Sequence, residues 1–222
     1  MFAAARSRNG KPDAGASSDS VNATTLDIRL VLDPGRARQW HRSLAEELRR
    51  RGHRVAIALR PGGPAMPASI GLLLALEGFA HRKGRGEAGK PWDEASLAAA
   101  RSDATGAADV EIDLTGRPVP GSAQPTLAAV YGDALIEEAA VAALIAGEVP
   151  EIGIRDSRAP GHPLLIRPGV DAVHRLGGSL DNLGARLAAL FTRAVDTVAS
   201  GHVVAGPQAV ALREGGAWHA GD

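Results

Sequence analysis

Two hydrophobic periods alternate along this chain, and their alternation constrains its fold more than any other feature. Residues 26–33, LDIRLVLD, carry the two-residue repeat of a strand, and residues 36–51, RARQWHRSLAEELRRR, repeat apolar side chains at helical spacing. Gly52 ends this helix, and the nearly uniformly apolar run HRVAIAL, residues 53–59, is typical of a central parallel strand. Together they predict a strand–helix–strand unit.

The same alternation continues to the end of the chain. The sequence predicts helices at residues 67–81, 93–101, 133–146 and 179–200, and strands at residues 108–116, 125–132, 149–156 and 162–170. Strands that alternate with helices favour an α/β fold. We therefore expect a doubly wound, mostly parallel open sheet of Rossmann-like type, with helices on both faces.

The ends of the chain differ from its middle in composition. Residues 1–25 lack periodicity and are rich in Ser, Gly, Ala and Asn, which predicts a disordered tail. Residues 26–199 are expected to form a single α/β domain, and residues 200–222 a loose C-terminal tail.

Composition excludes several classes of function. The 25 basic and 25 acidic residues cancel, which argues against nucleic acid as a partner, because such proteins need clustered positive charge. The chain has no cysteine, so disulfides and thiolate chemistry are excluded. The most apolar run, residues 65–76, is too short to span a bilayer, and no signal peptide opens the chain. We expect a cytoplasmic protein without a membrane partner.

Familiar site motifs are absent or misplaced. Residues 84–89, GRGEAG, fit the dinucleotide pattern G-x-G-x-x-G but follow a predicted helix instead of a strand, so a charged surface loop is the favoured interpretation. No serine-hydrolase elbow or phosphate-binding loop is present, and no histidine pair has metal-ligand spacing. We expect no metal site.

Ligands of open α/β sheets bind beyond the carboxyl ends of the strands. Polar residues that follow the predicted strands are therefore the candidate ligand-binding set: Asp33, Asp113, Thr115, Gly116, Tyr131 and Asp156, with Arg60 beside them. Each has a structural alternative, since Asp33 fits a helix cap, Asp113 and Thr115 fit a turn, and Asp156 fits a solvated loop. Trp40 and His41 are expected to be core residues.

Two stretches resemble the folate-dependent formyltransferases. In that family a helix ending in Gly-His leads into the second strand and a Pro-containing loop, as Gly52-His53 does here. Further on, a Tyr-Arg-Gly motif leads into a helix, a Gly-Glu pair and a strand, and Tyr131-Gly132, Gly147-Glu148 and VPEIGI follow the same order. The resemblance covers roughly residues 26–168 and implies a formyltransferase-like fold.

The resemblance stops at the residues that carry the family's chemistry. Active members have an Asn-x-His segment before the Tyr, which positions and polarises the formyl donor, and an Asp after the following strand. Residues 116–130 contain neither Asn nor His, and the Arg of the Tyr motif is missing. No motif decides whether Asp156 or Asp171 corresponds to the family's Asp. Formyl-folate is implied as a ligand only if the family activity is retained.

The sequence therefore favours a non-catalytic or altered formyltransferase-like domain of a transferase system, which binds a small molecule or a protein partner. The main alternative is the N-terminal half of a glycosyltransferase with two Rossmann-like domains, which LAEELRRRGHRVAIAL also resembles. A purely structural or interaction module is the third. No catalytic residue is assigned, and an active protein of either transferase type would transfer formyl or glycosyl groups.

Overall fold

The structure is a computed structural model of the 222-residue chain. It describes residues 24–62, 68, 72, 88–102, 106–117, 124–158, 163–167 and 176–201, and the side chains of these except at 163–167, 176 and 177. Both predicted tails, the helix predicted at 67–81 and the glycine motif at 84–89 lie wholly or mostly outside the described residues.

Six strands and four helices make up the described part of the chain. The strands are β1 (Asp27–Leu32), β2 (Arg54–Leu59), β3 (Val110–Asp113), β4 (Thr126–Tyr131), β5 (Ile152–Asp156) and β6 (Pro163–Arg167). The helices are α1 (Gln39–Arg50), α2 (Glu94–Ala100), α3 (Glu137–Ile145) and α4 (Leu176–Ala199), and a 3-10 turn spans Pro34–Arg36. Each strand and helix lies in a segment for which the sequence predicts that type of element, except that α4 begins at Leu176, three residues before its predicted start.

The strands form one sheet in the order β2-β1-β3-β4-β5-β6. Strands β2, β1, β3 and β4 are parallel, whereas β5 is antiparallel to β4 and β6 is antiparallel to β5. The predicted α/β fold with a mostly parallel sheet is confirmed. Helix α4 contacts both α1 and α3, and helices on both faces of the sheet stay a prediction.

Strand β2 is the outermost strand of the described sheet, so its predicted central position is wrong. Its apolar sequence reflects burial of its face against the core, where Ile57 is fully buried, and apolarity alone does not distinguish an edge from the centre. Ser102 satisfies the backbone of Ile57 on this outer strand, because its N–H donates to the Ile57 carbonyl and its hydroxyl accepts from the Ile57 N–H.

The core lies between the sheet and helices α1 and α4. Leu30, Ile57 and Ile112 are fully buried on neighbouring strands. The helical stripe predicted for the last helix is buried in full: Leu180, Leu183, Leu187, Leu190, Phe191 and Val195. A 24-residue helix with such a stripe buries enough apolar surface to hold itself on the sheet.

Two helices begin later than their patterns predict, and local hydrogen bonds explain both delays. The Asp33 carboxylate accepts from the Gly35 N–H at 2.9 Å and so caps the 3-10 turn, not α1. Helix α1 then starts after Arg38, whose N–H donates to Nδ1 of His41 at 3.0 Å. Before α3, Tyr131 and Ala134 exchange backbone hydrogen bonds in a turn, which delays the helix to Glu137.

Candidate functional site

The strand order reverses at β1, which has β2 on one side and β3 on the other. Connections that leave β1 and β3 in opposite directions open a crevice at the carboxyl ends of the strands, where α/β proteins bind ligands. A pocket of about 30 Å³, the carboxyl-edge pocket, lies here and has room for roughly two water molecules. Its polar and aromatic lining comprises Arg36, Trp40, His41, Asp113, Arg117, Tyr131 and Glu137. Gly116 and the apolar residues Leu114, Ala128, Ala129 and Leu135 form the rest.

Of the residues predicted from the sequence, Asp113, Gly116 and Tyr131 line this pocket. Asp113 is nearly fully saturated with hydrogen bonds. Its Oδ1 accepts from the N–H and the hydroxyl of Thr115 at 2.8 and 2.6 Å, and its Oδ2 accepts from Nη1 of Arg60 at 3.0 Å. Thr115 is fully buried behind it. Asp113 therefore closes a turn, as its structural interpretation predicts, and forms one wall of the pocket.

Gly116 follows this turn in a conformation that suits glycine alone. Its φ is +75°, and a Cβ there would lie 3.1 Å from Cγ2 of Ile136. The glycine thus allows the end of β3 to approach the segment that enters α3. Asp33 lies at the same ends of the strands, but its carboxylate accepts the Gly35 N–H and it does not line the pocket.

Asp156 does not belong to this site, and its predicted position at the same rim is wrong. Because β5 runs antiparallel to β4, Asp156 pairs with Leu127 near the start of β4, at the opposite edge of the sheet. Its carboxylate accepts from the N–H and the Nε of Arg158, each at 2.9 Å. The prediction of Asp156 assumed that β5 runs parallel to β4, as most strands of the sheet do.

Two arginine–glutamate pairs join the segment after β1 to the first turn of α3. Arg36 donates a close hydrogen bond to Oε2 of Glu138, which is 1% exposed, and Nε of Arg38 lies 3.9 Å from Oε2 of Glu137. None of these four residues is among those predicted from the sequence. Glu137 and Glu138 are adjacent acidic residues in the first turn of a helix that follows a predicted parallel strand. This placement at a helix N-terminus is the sequence feature that could have indicated them.

His41 is buried, as predicted for a core residue, but it also lines the pocket. Burial, together with the cations of Arg38 and Arg36, lowers its pKa to about 3. The neutral ring accepts the Arg38 N–H at Nδ1, so its own proton sits on Nε2. Trp40 is buried too and packs edge to face on His41, with ring centroids 3.9 Å apart.

Burial also shifts the pKa values of two acidic groups in the pocket, Tyr131 and Glu137. It raises the pKa of the Tyr131 hydroxyl well above its ordinary value, with the Glu137 carboxylate adding to the effect. It likewise raises the pKa of Glu137, an effect that Arg38 opposes and Glu138 reinforces. The phenol therefore stays protonated at neutral pH, and the ionised form of Glu137 is disfavoured.

A wider groove of about 520 Å³ lies at the amino ends of β1 and β2, beside Asp27, Arg29 and Arg54. Its charges are engaged with one another: Arg54 forms a bidentate pair with Asp27, and Arg29 lies 3.7 Å from Glu111. It lies away from the reversal of strand order, so the carboxyl-edge pocket is the better candidate site.

Within the described residues, no group of three or more His, Asp or Glu side chains is arranged to hold a metal ion. A search of the same residues finds no helix with the length and apolar character needed to cross a membrane.

Comparisons of the chain with protein-family models, with curated proteins and with solved structures found no match. The geometry of the carboxyl-edge pocket is therefore the basis on which function is inferred.

Proposed function

We propose that this chain is a Rossmann-like, formyltransferase-like domain that binds a small ligand at the carboxyl edge of β1 and β3 and does not transfer formyl groups. The observation that carries the proposal is that the two pocket groups best suited to proton transfer, the Asp113 carboxylate and the His41 imidazole, are engaged in structural hydrogen bonds. Asp113, which stood closest to a catalytic carboxylate by position, already accepts three hydrogen bonds from Thr115 and Arg60. A general base needs an accessible lone pair aimed at substrate.

The imidazole of His41 supports the same conclusion. A base with a pKa of about 3 takes up protons weakly at neutral pH, where general bases work best with a pKa near 7. Its Nδ1 lone pair is also occupied by the Arg38 N–H. Binding without chemistry remains available to such a pocket, because backbone and side-chain polar groups around it still fix the orientation of a ligand.

The link to formyltransferases comes from the sequence resemblance over residues 26–168. Tyr131-Gly132 stands at the end of β4 and beside the pocket, in keeping with the family's Tyr motif lying close to its site. The departures from the family's catalytic segment are the reason to propose binding in place of transfer. A cytoplasmic location is part of the proposal and agrees with the absence of cysteine.

The first test is an activity assay. The purified chain is incubated with a formyl-folate donor and amino-sugar acceptors, and products are sought by mass spectrometry. We expect no formylated product. Turnover that Asp113→Ala abolishes and that Arg158→Ala, at the opposite edge, leaves intact would overturn the proposal.

The second test concerns binding. Fragment-sized sugars, amino acids, nucleotides and folates are screened by amide chemical shifts of the labelled chain. Shifts at Asp113, Gly116 and Tyr131 are expected from at least one class, and shifts confined to other surfaces count against the proposal. A nucleotide-sugar that binds and raises the melting temperature favours the glycosyltransferase alternative.

A further inference from the structure

We propose that the carboxyl-edge pocket binds a carboxylate of its ligand, with Trp40, His41 and Tyr131 as hydrogen-bond donors and Arg117 as the countercharge. This inference rests on the proposed function, because it names the class of ligand that the pocket takes. All four residues line the pocket. The three donors are buried, whereas Arg117 is exposed.

The three buried residues carry N–H and O–H groups that lack an acceptor. Nε1 of Trp40 is a buried atom with no hydrogen-bond partner among the described residues. In the same part of the chain, His41 makes one side-chain hydrogen bond, the one that its Nδ1 accepts, and the Tyr131 hydroxyl makes none. A buried donor without an acceptor costs free energy, because it has lost its water and gained nothing in exchange. An acceptor that enters the pocket supplies what these groups lack.

Each of the three groups is a donor at neutral pH. An indole N–H has no lone pair to offer and donates only. The His41 ring is neutral, because its pKa is lowered to about 3, and its one proton lies on Nε2 since Nδ1 accepts the Arg38 N–H. Burial raises the pKa of the Tyr131 hydroxyl well above its ordinary value, so the phenol keeps its proton.

The two carboxylates that line the pocket do not supply the missing acceptor. Asp113 already accepts three hydrogen bonds from Thr115 and Arg60. Glu137 has Nε of Arg38 at 3.9 Å, and burial raises its pKa, which favours the protonated and uncharged form. A protonated carboxyl group is itself a donor, and an anion beside it favours that form further. The lining therefore offers more donors than acceptors.

Arg117 brings a positive charge that no described carboxylate balances. Its Nη2 donates to the backbone carbonyls of Pro61, at 3.3 Å, and Gly62, and no acidic side chain of the described residues pairs with it. Arg36, the other arginine of the lining, is by contrast paired with Glu138. Backbone carbonyls carry no net charge, so the charge of Arg117 is left to attract an anion and to disfavour a cation.

The size of the pocket distinguishes between anions. It has room for roughly two water molecules, which matches the two oxygens of a carboxylate. A phosphate group presents more oxygens and carries nearly two negative charges at neutral pH, more than one arginine balances. A planar carboxylate is also the group that a guanidinium holds with two parallel hydrogen bonds. Fragments with a free carboxylate are therefore expected to bind in preference to uncharged sugars.

The test is a titration of the full-length isotope-labelled chain with sodium acetate at neutral pH and constant ionic strength, followed by the indole N–H resonances. A saturable shift is expected at Trp40, because its Nε1 gains an acceptor. Trp92 is the matched control, since its Nε1 is also buried without a described partner but it does not line the pocket. Its resonance should stay in place. Trp40→Phe and Trp92→Phe assign the two resonances by removing each in turn.

Tyr131→Phe is expected to weaken acetate binding about tenfold, the effect of losing one hydrogen bond to a charged acceptor. Its stability should not fall, because the hydroxyl has no described partner without a ligand, whereas a purely structural role would lower it.

Arg117→Ala is expected to weaken acetate binding about fivefold, as for a partly exposed ion pair. Arg49→Ala is the control, because Arg49 is likewise exposed and donates to a backbone carbonyl, that of Val55. It should leave acetate binding unchanged.

Four outcomes overturn the inference. The first is that acetate gives no saturable shift of the Trp40 indole, or shifts Trp92 equally. The second is that acetamide, which has the same shape without the charge, binds as tightly as acetate. The third is that inorganic phosphate binds as tightly and shifts Trp40, which would indicate a larger anion. The fourth is that Arg49→Ala weakens binding as much as Arg117→Ala, which would indicate unspecific attraction.

These outcomes separate the inference from the proposed function. Uncharged fragments that bind at Asp113, Gly116 or Tyr131 while acetate fails at Trp40 leave the proposed function standing and refute only the carboxylate site. Formyl transfer in the activity assay refutes the proposed function whatever acetate does.

Discussion

Gly184 in α4 lies directly against the indole of Trp40 in α1. A Cβ atom at residue 184 would approach Cγ of Trp40 to 2.8 Å, closer than side-chain packing allows. The glycine therefore sets how near the two helices come. Because Trp40 also lines the pocket, the packing of α4 on α1 fixes one wall of the site.

Gly184→Ala is expected to destabilise the protein by about 1–3 kcal/mol, the usual cost of overpacking a core. This cost outweighs the roughly 1 kcal/mol that alanine gains in helix propensity. Urea unfolding measures the difference. Ala185→Gly, at the exposed neighbouring position, isolates the propensity effect. A variant more stable than the wild type would contradict the tight contact.

Glu138→Ala is expected to cost about 3–5 kcal/mol, because it leaves the mostly buried guanidinium of Arg36 without its carboxylate. The double variant Arg36→Ala, Glu138→Ala should lose less than the sum of the single variants, since it leaves neither charge unpaired. Denaturant unfolding of all four proteins gives the coupling. The exposed Arg42–Glu46 pair is the control and should couple by less than about 1 kcal/mol.

His41 makes stability depend on pH. Its pKa is about 3 in the folded state and near 6.5 when solvated, so between these values the unfolded chain binds more protons. The contribution is complete above pH 6.5 and is lost as pH falls, by up to about 1.4 kcal/mol per pH unit. His41→Gln removes the titration and keeps a side chain that accepts the Arg38 N–H. Its stability should vary less between pH 6.5 and 4, and an unchanged slope would refute the assignment.

Glu137 makes stability depend on pH in the opposite direction from His41. Its pKa is raised in the folded state, so the folded chain holds the proton more tightly, and stability falls as pH rises through the window above its ordinary value of 4.5. The stability of Glu137→Gln relative to the wild type should therefore increase across this window. Unfolding curves in the His41→Gln background measure the effect without the opposing imidazole. A difference that stays constant with pH would exclude it.

Periodicity predicted the elements that bury one face along many residues. The stripe from Leu180 to Val195 contains six apolar side chains, all of which are buried, and no local interaction competes with that signal. Helix starts were harder to predict. Single hydrogen bonds decide them, such as the one from Gly35 to Asp33, and many polar residues at a strand end are able to form one.

The direction of β5 was not predictable from its residues. An apolar strand shows that both of its faces are buried but carries no mark of orientation, and the segment 132–151 is long enough for a return or a crossover. Asp156 was misplaced for this reason. Arg36 and Glu138 escaped notice because their importance comes from a contact across 102 positions of sequence.

The chain leaves the sheet at Tyr131 and rejoins it at Ile152, and these two residues are ladder partners. Helix α3 is thus an excursion between two antiparallel neighbours, and it packs against β4 and α4. Its buried residues, such as Glu138 and Val141, are constrained by their contacts, whereas its exposed residues are free to change without altering the pairing of β4 with β5. Substitutions in the segment between β4 and β5, which places Leu135 and Glu137 in the pocket lining, can therefore change ligand preference while the strands keep their pairing.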